Sequence, residues 1–328
     1  MKISSSFFKN KKIFITGGTG TFGTAMIKYL IKNFNVKKIT VYSRDEMKQW
    51  YLNEKLSKYK KINFVLGDVR DKERLTNCME GHDYVFHAAA TKIVPTSEFN
   101  PEECIKTNII GAINVIDASK ISKVKRVIAL STDKASSPIN LYGATKLCSD
   151  KLFVSQNIIS DKKTVFGVVR YGNVVASRGS IIPFFNSLKN EKFFPITHKD
   201  MTRFFLTIED AVSFSCFCMK KMFGGEIFVR KIKSIKITDL AKSIKKNAKF
   251  KIIGIRPGEK IHEQMIGSDE SINTAEFKNH YEILPNLKEM NIRLKKDGKK
   301  VSDGFIFSSK MAKKFSIQEF KKIIININ

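Results

Sequence analysis

This sequence predicts an α/β fold, a doubly wound parallel sheet followed by a smaller, interleaved C-terminal region. Three observations point there. Short apolar runs alternate with amphipathic stretches through the first half of the 328 residues. A glycine cluster stands directly after the first apolar run. Beyond about Arg170 the alternation breaks into irregular short segments interrupted by glycine and proline.

In chain order, Lys12–Thr16 reads as a buried strand and Thr21–Asn33 as a helix, then residues 38–42 as a strand and 45–59 as a helix. Ile62–Leu66, Tyr84–His87, 126–130 and 164–169 follow as strands, with helices over 101–120 and Leu141–Ile159. Strands separated by helices pair in parallel and place helices on both faces. No internal repeat and no low-complexity linker interrupts the chain.

Composition excludes several classes. The hydrophobic fraction of 42% is that of a chain with a real core, and no apolar run reaches the ~18 residues of a membrane span. No segment at the start reads as a secretory signal. The five cysteines form no Cys-x-x-Cys pair, and the five histidines lack ligand spacing, so the expectation is reduced thiols in the cytoplasm and no metal. The net charge of +28 is spread along the whole chain. That reads as solvated lysine faces rather than a nucleic-acid surface, although a basic field would help attract a di-anionic substrate.

The glycine cluster Thr16-Gly-Gly-Thr-Gly-Thr-Phe-Gly23 lies between a strand and a helix, the Rossmann position for a dinucleotide pyrophosphate. Gly17 and Gly20 serve the tight turn and close backbone approach, Gly23 the packing of helix on strand. Free N–H groups at the helix start then face the phosphates. The second strand ends Tyr42-Ser43-Arg44-Asp45. Ser43 and Arg44 suit a ribose 2′-phosphate, and Asp45 can cap the next helix, so NADP is expected over NAD. Asp68, in Gly67-Asp68-Val69, stands at the adenine position.

The segment Ser131-Thr-Asp-Lys-Ala-Ser-Ser-Pro-Ile-Asn-Leu-Tyr-Gly-Ala-Thr-Lys146 carries the chemistry. Tyr142 and Lys146 are four apart near a helix start, on one face. A lysine beside a phenol lowers its pKa from about 10, which lets Tyr142 take a sugar hydroxyl proton as hydride departs. Asp133 and Lys134 add an acid/base pair that a simple dehydrogenase does not need. It would serve an elimination next to a transient ketone.

At this point the chain resembles the inverting UDP-N-acetylglucosamine 4,6-dehydratases, extended short-chain dehydrogenases of pseudaminic acid biosynthesis. The likeness rests on residues 131–146 with Arg170-Tyr-Gly-Asn-Val-Val-Ala-Ser-Arg-Gly-Ser180, Pro195-Ile-Thr197, Met201-Thr-Arg-Phe204 and Ile255-Arg-Pro-Gly-Glu-Lys-Ile-His-Glu263. The resemblance implies UDP-N-acetylglucosamine as substrate, NADP as cofactor and a homo-oligomer, up to a hexamer. It implies an NADP-binding domain over 1–170 with later contributions from about 204–230, and a UDP-sugar domain over 171–328. Tyr142 and Lys146 would oxidise C4, with Thr132 holding the hydroxyl. Lys134 would take the C5 proton, and Asp133 would protonate the departing 6-hydroxyl. Cofactor contacts are expected from Gly17, Thr19, Gly20, Thr21, Phe22, Gly23, Ser43, Arg44, Asp68, Val69, Ala88, Ala89, Lys92, Tyr142 and Lys146. Substrate contacts are expected from Lys92, Thr132, Tyr142, Asn173, Arg178, Thr197, Met201, Arg203, Arg256 and Glu259.

The chain departs from the family pattern at Thr91-Lys-Ile-Val-Pro95 and at Ser136-Ser137, which bear on substrate choice. Tyr142 and the lack of apolar spans separate it from the larger membrane-anchored dehydratases. The competing readings are a UDP-hexosamine 4-epimerase, which would not need Asp133 and Lys134, a capsule-pathway dehydratase with the same inversion, and a non-catalytic NADP-sensing module.

Overall fold

A computed structural model describes residues 3–326 apart from 160–162, 176, 178–179, 286–287, 289–291, 293 and 295–296. The expected alternation is present as β1 (Lys12–Thr16), α1 (Thr21–Asn33), β2 (Lys38–Ser43), α2 (Glu46–Leu56), β3 (Ile62–Leu66), α3 (Lys72–Met79), β4 (Tyr84–His87), α4 (Val94–Phe99), α5 (Pro101–Ile105), α6 (Gly111–Ile121), β5 (Arg126–Thr132), α7 (Leu141–Ile159) and β6 (Val165–Tyr171). There follow β7 (Asn173–Val174), α8 (Ile181–Ser187), β8 (Phe193–Ile196), β9 (Thr202–Leu206), α9 (Ile208–Lys221), β10 (Ile227–Arg230), β11 (Ser234–Lys236), α10 (Ile237–Ile244) and β12 (Lys249–Ile252). The last elements are β13 (Gln264–Ile266), β14 (Thr274–Glu276), β15 (His280–Ile283), β16 (Lys299–Lys300), β17 (Phe307–Ser308) and α11 (Ile317–Ile325).

The main sheet runs β16-β14-β15-β10-β6-β5-β4-β1-β2-β3. From β3 to β10 every neighbour pairs in parallel, and β15, β14 and β16 add antiparallel. Strand order therefore reverses between β1 and β4, where Thr16 faces His87 in register. In doubly wound sheets a ligand crevice opens at that switch point, beyond the strands' C-terminal ends. Ile13, Phe14 and Ile15 of β1 and Val127 and Ile128 of β5 are fully buried, as strands covered by helices on both faces require.

Three differences from expectation have physical reasons. The helix expected over 101–120 is split by a wide π-type turn over Lys106–Ile110. It turns Asn108 inward, where its amide bonds the Thr91 backbone on both sides and donates to Thr145 Oγ1. The helices α3 and α4 were too short and polar for a periodic signal. The boundary near 170 is not a clean cut either. Besides β10, strands β14 to β16 from beyond residue 270 extend the main sheet. The rest of the C-terminal half forms small sheets, β11-β9-β7, β12-β8 and β13-β17. The first two pack with α8, α10 and α11 around a core that includes Phe185, Phe194, Ile196, Met201, Phe205, Leu240 and Phe320, whereas Met265, Ile266 and Phe307 of β13-β17 join the core beneath the main sheet.

Arg170, at the end of β6, joins the two halves. Its fully buried guanidinium lies 3.2 Å from Asp150 on α7 and 2.9 Å from Glu270, and donates to the Met265 carbonyl at 2.8 Å. Removing one member of a buried ion cluster leaves the others uncompensated, at about 3–5 kcal/mol. Arg170→Met is therefore expected to destabilise the fold by about that much, read as a lower urea midpoint at fixed protein concentration.

Candidate active site

A cleft of about 850 Å³ opens at the switch point. Its floor is the turn after β1. Gly17 sits at φ +64°, and a Cβ there would lie 2.7 Å from the Ala89 nitrogen. A Cβ on Gly23 would lie 2.4 Å from the Gly18 Cα, so α1 meets the turn at backbone contact. The space left above is shaped for a phosphate to approach main-chain N–H groups. The cleft is lined by the expected cofactor set, Gly17, Thr19, Gly20, Thr21, Phe22, Gly23, Ser43, Arg44, Asp68, Val69, Ala88, Ala89, Lys92, Tyr142 and Lys146.

Asp45 is engaged in the way the sequence suggested. Its carboxylate caps α2 by accepting from the Lys48 N–H at 2.9 Å and pairs with the Lys48 ammonium. Ser43 Oγ accepts from Thr19 Oγ1 and Gln49 Nε2, and the exposed Arg44 stands 3.8 Å from Asp68. Against the upward push of burial, bonds from Arg70 hold the Asp68 carboxyl below the usual carboxylate range.

The chemistry-bearing groups converge where β5 ends. Asp133 and Lys134 occupy a single 3₁₀ turn after Thr132, whose hydroxyl caps it by accepting from the Lys134 N–H. A Cβ at Gly143 would lie 2.3 Å from the Lys134 carbonyl oxygen. Only glycine lets α7 press on this turn and bring Tyr142 beside Lys134. Lys134 Nζ donates to Asp133 Oδ1 at 3.1 Å and lies 3.3 Å from Glu263 Oε1. Burial pulls the Lys134 ammonium down, but Asp133 and Glu263 more than offset this and hold it above the ordinary lysine range. Burial pushes the Asp133 carboxyl up, Glu263 adds to that, and Lys134 offsets only part. Asp133 Oδ2 is buried with no hydrogen-bond partner among the described residues.

Tyr142 differs from expectation. Burial pushes its phenol up to about 12, and the groups pulling it back are Lys134 and hydrogen bonding with Thr132, rather than Lys146. Lys146 is itself buried, and burial lowers it, opposed by Asp150 one helical turn on.

The expected substrate contacts divide. Lys92, Thr132, Tyr142, Asn173 and Arg256 line the cleft. Asn173 Oδ1 has no hydrogen-bond partner among the described residues. Thr197, Met201, Arg203 and Glu259 are not among the lining residues. Met201 belongs to the apolar core of the second region, and the Thr197 hydroxyl donates to its sulfur. The Arg203 guanidinium is buried and spent on the Thr202, Lys260 and Ile261 carbonyls and on Glu259 and Glu263. Its fork is thus occupied by groups of the protein itself. Arg178 lies outside the described residues. Glu263, which no expectation singled out, stands in direct contact with Lys134. Among the described residues no cluster of His, Cys, Asp and Glu could hold a metal, and no helix is long and apolar enough to cross a membrane.

Residues 13–285 match the family model described as polysaccharide biosynthesis protein. The chain is 54% identical over 314 residues, 92% of its own length and 93% of the relative's, to the UDP-N-acetylglucosamine 4,6-dehydratase (inverting) of Campylobacter jejuni. It is 41% identical over 332 residues, 98% and 97% of the two lengths, to a UDP-glucose 4-epimerase of Rickettsia bellii. Among solved structures it resembles Pen from Bacillus thuringiensis with a TM-score of 0.89 and 35% identity, covering 98% of this chain and 99% of that one.

In protein purified free of cofactor, the Tyr142 phenol should ionise about two units above an ordinary tyrosine. Ultraviolet difference titration against Tyr142→Phe reads this. Lys134→Met removes the strongest downward influence and should raise the value further; an unchanged titration would refute the coupling.

Proposed function

Because the chain belongs to the polysaccharide biosynthesis protein family, we propose that it dehydrates UDP-N-acetylglucosamine across C5 and C6 after transient oxidation at C4, inverting C5, with NADP as the recycled cofactor. The observation that carries this reading is the Asp133–Lys134 pair in hydrogen-bond contact beside Tyr142. An epimerase needs the tyrosine and lysine but has no use for a second acid/base pair.

The turn over residues 17–23, Val69, Ala88 and Ala89 would hold the dinucleotide, and Ser43 and Arg44 its 2′-phosphate. That bound group supplies the hydride acceptor at C4 and the hydride donor at C6. Tyr142, steadied by Thr132, takes the C4 hydroxyl proton. Its neutral resting form means that the phenol must first give up its own proton to solvent, which Lys134 favours by its charge. The resulting 4-ketone acidifies C5–H.

Lys134 rests as an ammonium, so it is not a base as it stands. The Glu263 carboxylate, 3.3 Å from the same ammonium, resolves this. Moving one proton across that contact turns ammonium and carboxylate into amine and carboxylic acid, with no change in total charge. The amine takes the C5 proton and Asp133, which holds a proton of its own, protonates the departing 6-hydroxyl; these are the two groups an elimination requires. A solvent-derived proton then enters C5 from the opposite face as hydride returns to C6. Lys92, Asn173 and Arg256 are the cleft residues left to hold the nucleotide sugar. Five free cysteines, among them buried Cys104, Cys216 and Cys218, fit a reducing compartment, and we place the enzyme in the cytoplasm.

With UDP-N-acetylglucosamine in deuterated water, the expected product is a 4-keto-6-deoxy sugar nucleotide carrying deuterium at C5, read by NMR and mass spectrometry. Lys134→Ala should slow water loss by about 10²–10⁴ while hydride exchange with the cofactor persists. A UDP-N-acetylgalactosamine product with no loss of water would overturn the dehydratase reading in favour of epimerisation.

Arg44→Ala tests the cofactor. Loss of a charge-assisted bond of about 1.5–3 kcal/mol should weaken NADP binding about tenfold or more and leave NAD nearly unchanged. Equal effects on both would remove the case for NADP.

A further inference from the structure

Glu263 stands where two roles meet. Its Oε1 lies 3.3 Å from Lys134 Nζ and 3.8 Å from Arg203 Nε, and its side chain is only 3% exposed. Its backbone is locked as well: its N–H donates to Ser309 Oγ at 2.9 Å, and its carbonyl accepts from the Ser309 N–H at 2.8 Å. The backbone bonds fix where the side chain starts, and burial with the contacts to Lys134 and Arg203 keeps its carboxylate there. On the other side of the same ammonium is Asp133, 1% exposed, with Oδ2 unpartnered among the described residues. Two buried carboxyls thus share one lysine.

Two carboxyl groups around one cation cannot both ionise at their ordinary values, because repulsion raises one of them. Their surroundings decide which. Glu263 faces Lys134, Arg203 and Lys260; Asp133 faces Lys134, Arg203 more weakly, the Tyr142 phenol and Glu263 itself. We propose that Glu263 is a positioning residue that takes up the charge of Lys134 and so leaves Asp133 holding a proton, ready for the departing 6-hydroxyl. Without Glu263, Asp133 would be the sole close counterion of Lys134 and would ionise. The pair would still be present, but the acid would have lost its proton. Directions agree with this division: Lys134, Arg203 and Lys260 more than offset burial at Glu263 and hold it below the ordinary range, whereas burial and Glu263 keep Asp133 above it.

The inference rests on the dehydratase reading for its purpose but not for its physical content, so the test uses substrate-independent and substrate-dependent arms. Infrared difference spectra of native protein minus Asp133→Asn, at neutral pH, isolate the C=O stretch of a protonated Asp133. Asp150, whose carboxyl burial also pushes up, is present in both and cancels. The expected result is an Asp133 band that persists above the ordinary carboxylate range. In Glu263→Gln the band should disappear at neutral pH and return about one unit or more lower, while Glu263→Asp restores it in part. In turnover, Glu263→Gln should move the alkaline loss of water elimination to lower pH. It should lower kcat about tenfold for each unit, with KM little changed.

A native protein without the Asp133 band overturns the proposal. So does a Glu263→Gln band and pH profile identical to the native ones. If Glu263→Gln does not fold, the native titration and Glu263→Asp decide alone. A band that behaves as expected in an enzyme that releases only the 4-epimer sustains the Glu263 assignment and overturns the dehydratase reading instead.

Discussion

The catalytic arrangement depends on burying opposite charges at the end of β5. A carboxyl and an ammonium placed there each lose several kcal/mol of hydration. That loss is offset only where partners are close, hydrogen-bonded and unable to move away. Three devices satisfy this. Thr132 caps the turn that carries Asp133 and Lys134. Gly143 admits that turn to backbone contact with α7. Glu263 arrives from the second region, anchored through Ser309. The second region thus does more than wall the cleft, because it supplies a counterion to the Asp133–Lys134 pair of the first.

The same logic recurs one strand away. Asp150 on α7, Arg170 at the end of β6 and Glu270 after β13 form a second buried cluster. Both clusters pair first-region groups with the segment from 263 to 270. Between their anchors runs β13, whose Met265 carbonyl accepts from Arg170. Apolar packing tolerates small slides, whereas charges at these distances do not, since each lost contact leaves a bare buried ion. The two clusters therefore hold the halves of the cleft in register. Asp150 also opposes the lowering of Lys146 by burial, so the structural cluster bears on a cleft residue as well.

The parallel sheet and its cleft were largely legible in the sequence, because strand and helix periods are strong signals and the glycine turn has one geometric use. Strands β1 to β6 begin and end within two residues of their expected bounds, and the expected cofactor residues all line the cleft. Legibility ended where one face had to be chosen. Every residue of β9 is buried, so no alternation tells which of Arg203 and its neighbours reaches the cleft, and Arg203 stops behind Glu263 without lining it. Glu259 and Glu263 lie four apart in one motif, and only burial separates the half-covered partner of Arg203 from the counterion of Lys134. The lowering of Tyr142 by Lys146 followed from spacing along a helix, but tertiary placement made Lys134 the stronger neighbour.

The charge of +28 takes on a local meaning once the cleft is drawn. Its basic and acidic lining residues are Arg44, Lys48, Lys92, Lys134, Lys146 and Arg256 against Asp45, Asp68 and Asp133. Asp45 is paired with Lys48, Asp68 with Arg70, and Asp133 tends to hold its proton. The exposed rim at Arg44, Lys92 and Arg256 therefore sets the sign seen by an approaching anion, and a low-dielectric cleft concentrates that field. Deeper in, positive charge is balanced group by group, and an uncompensated cation beside Asp133 would strip the proton that the proposed elimination has it deliver. Surface charge that looks like mere composition thus divides into two kinds. The rim charge attracts and is open to screening by salt, while the buried charge sets protonation and is shielded from it.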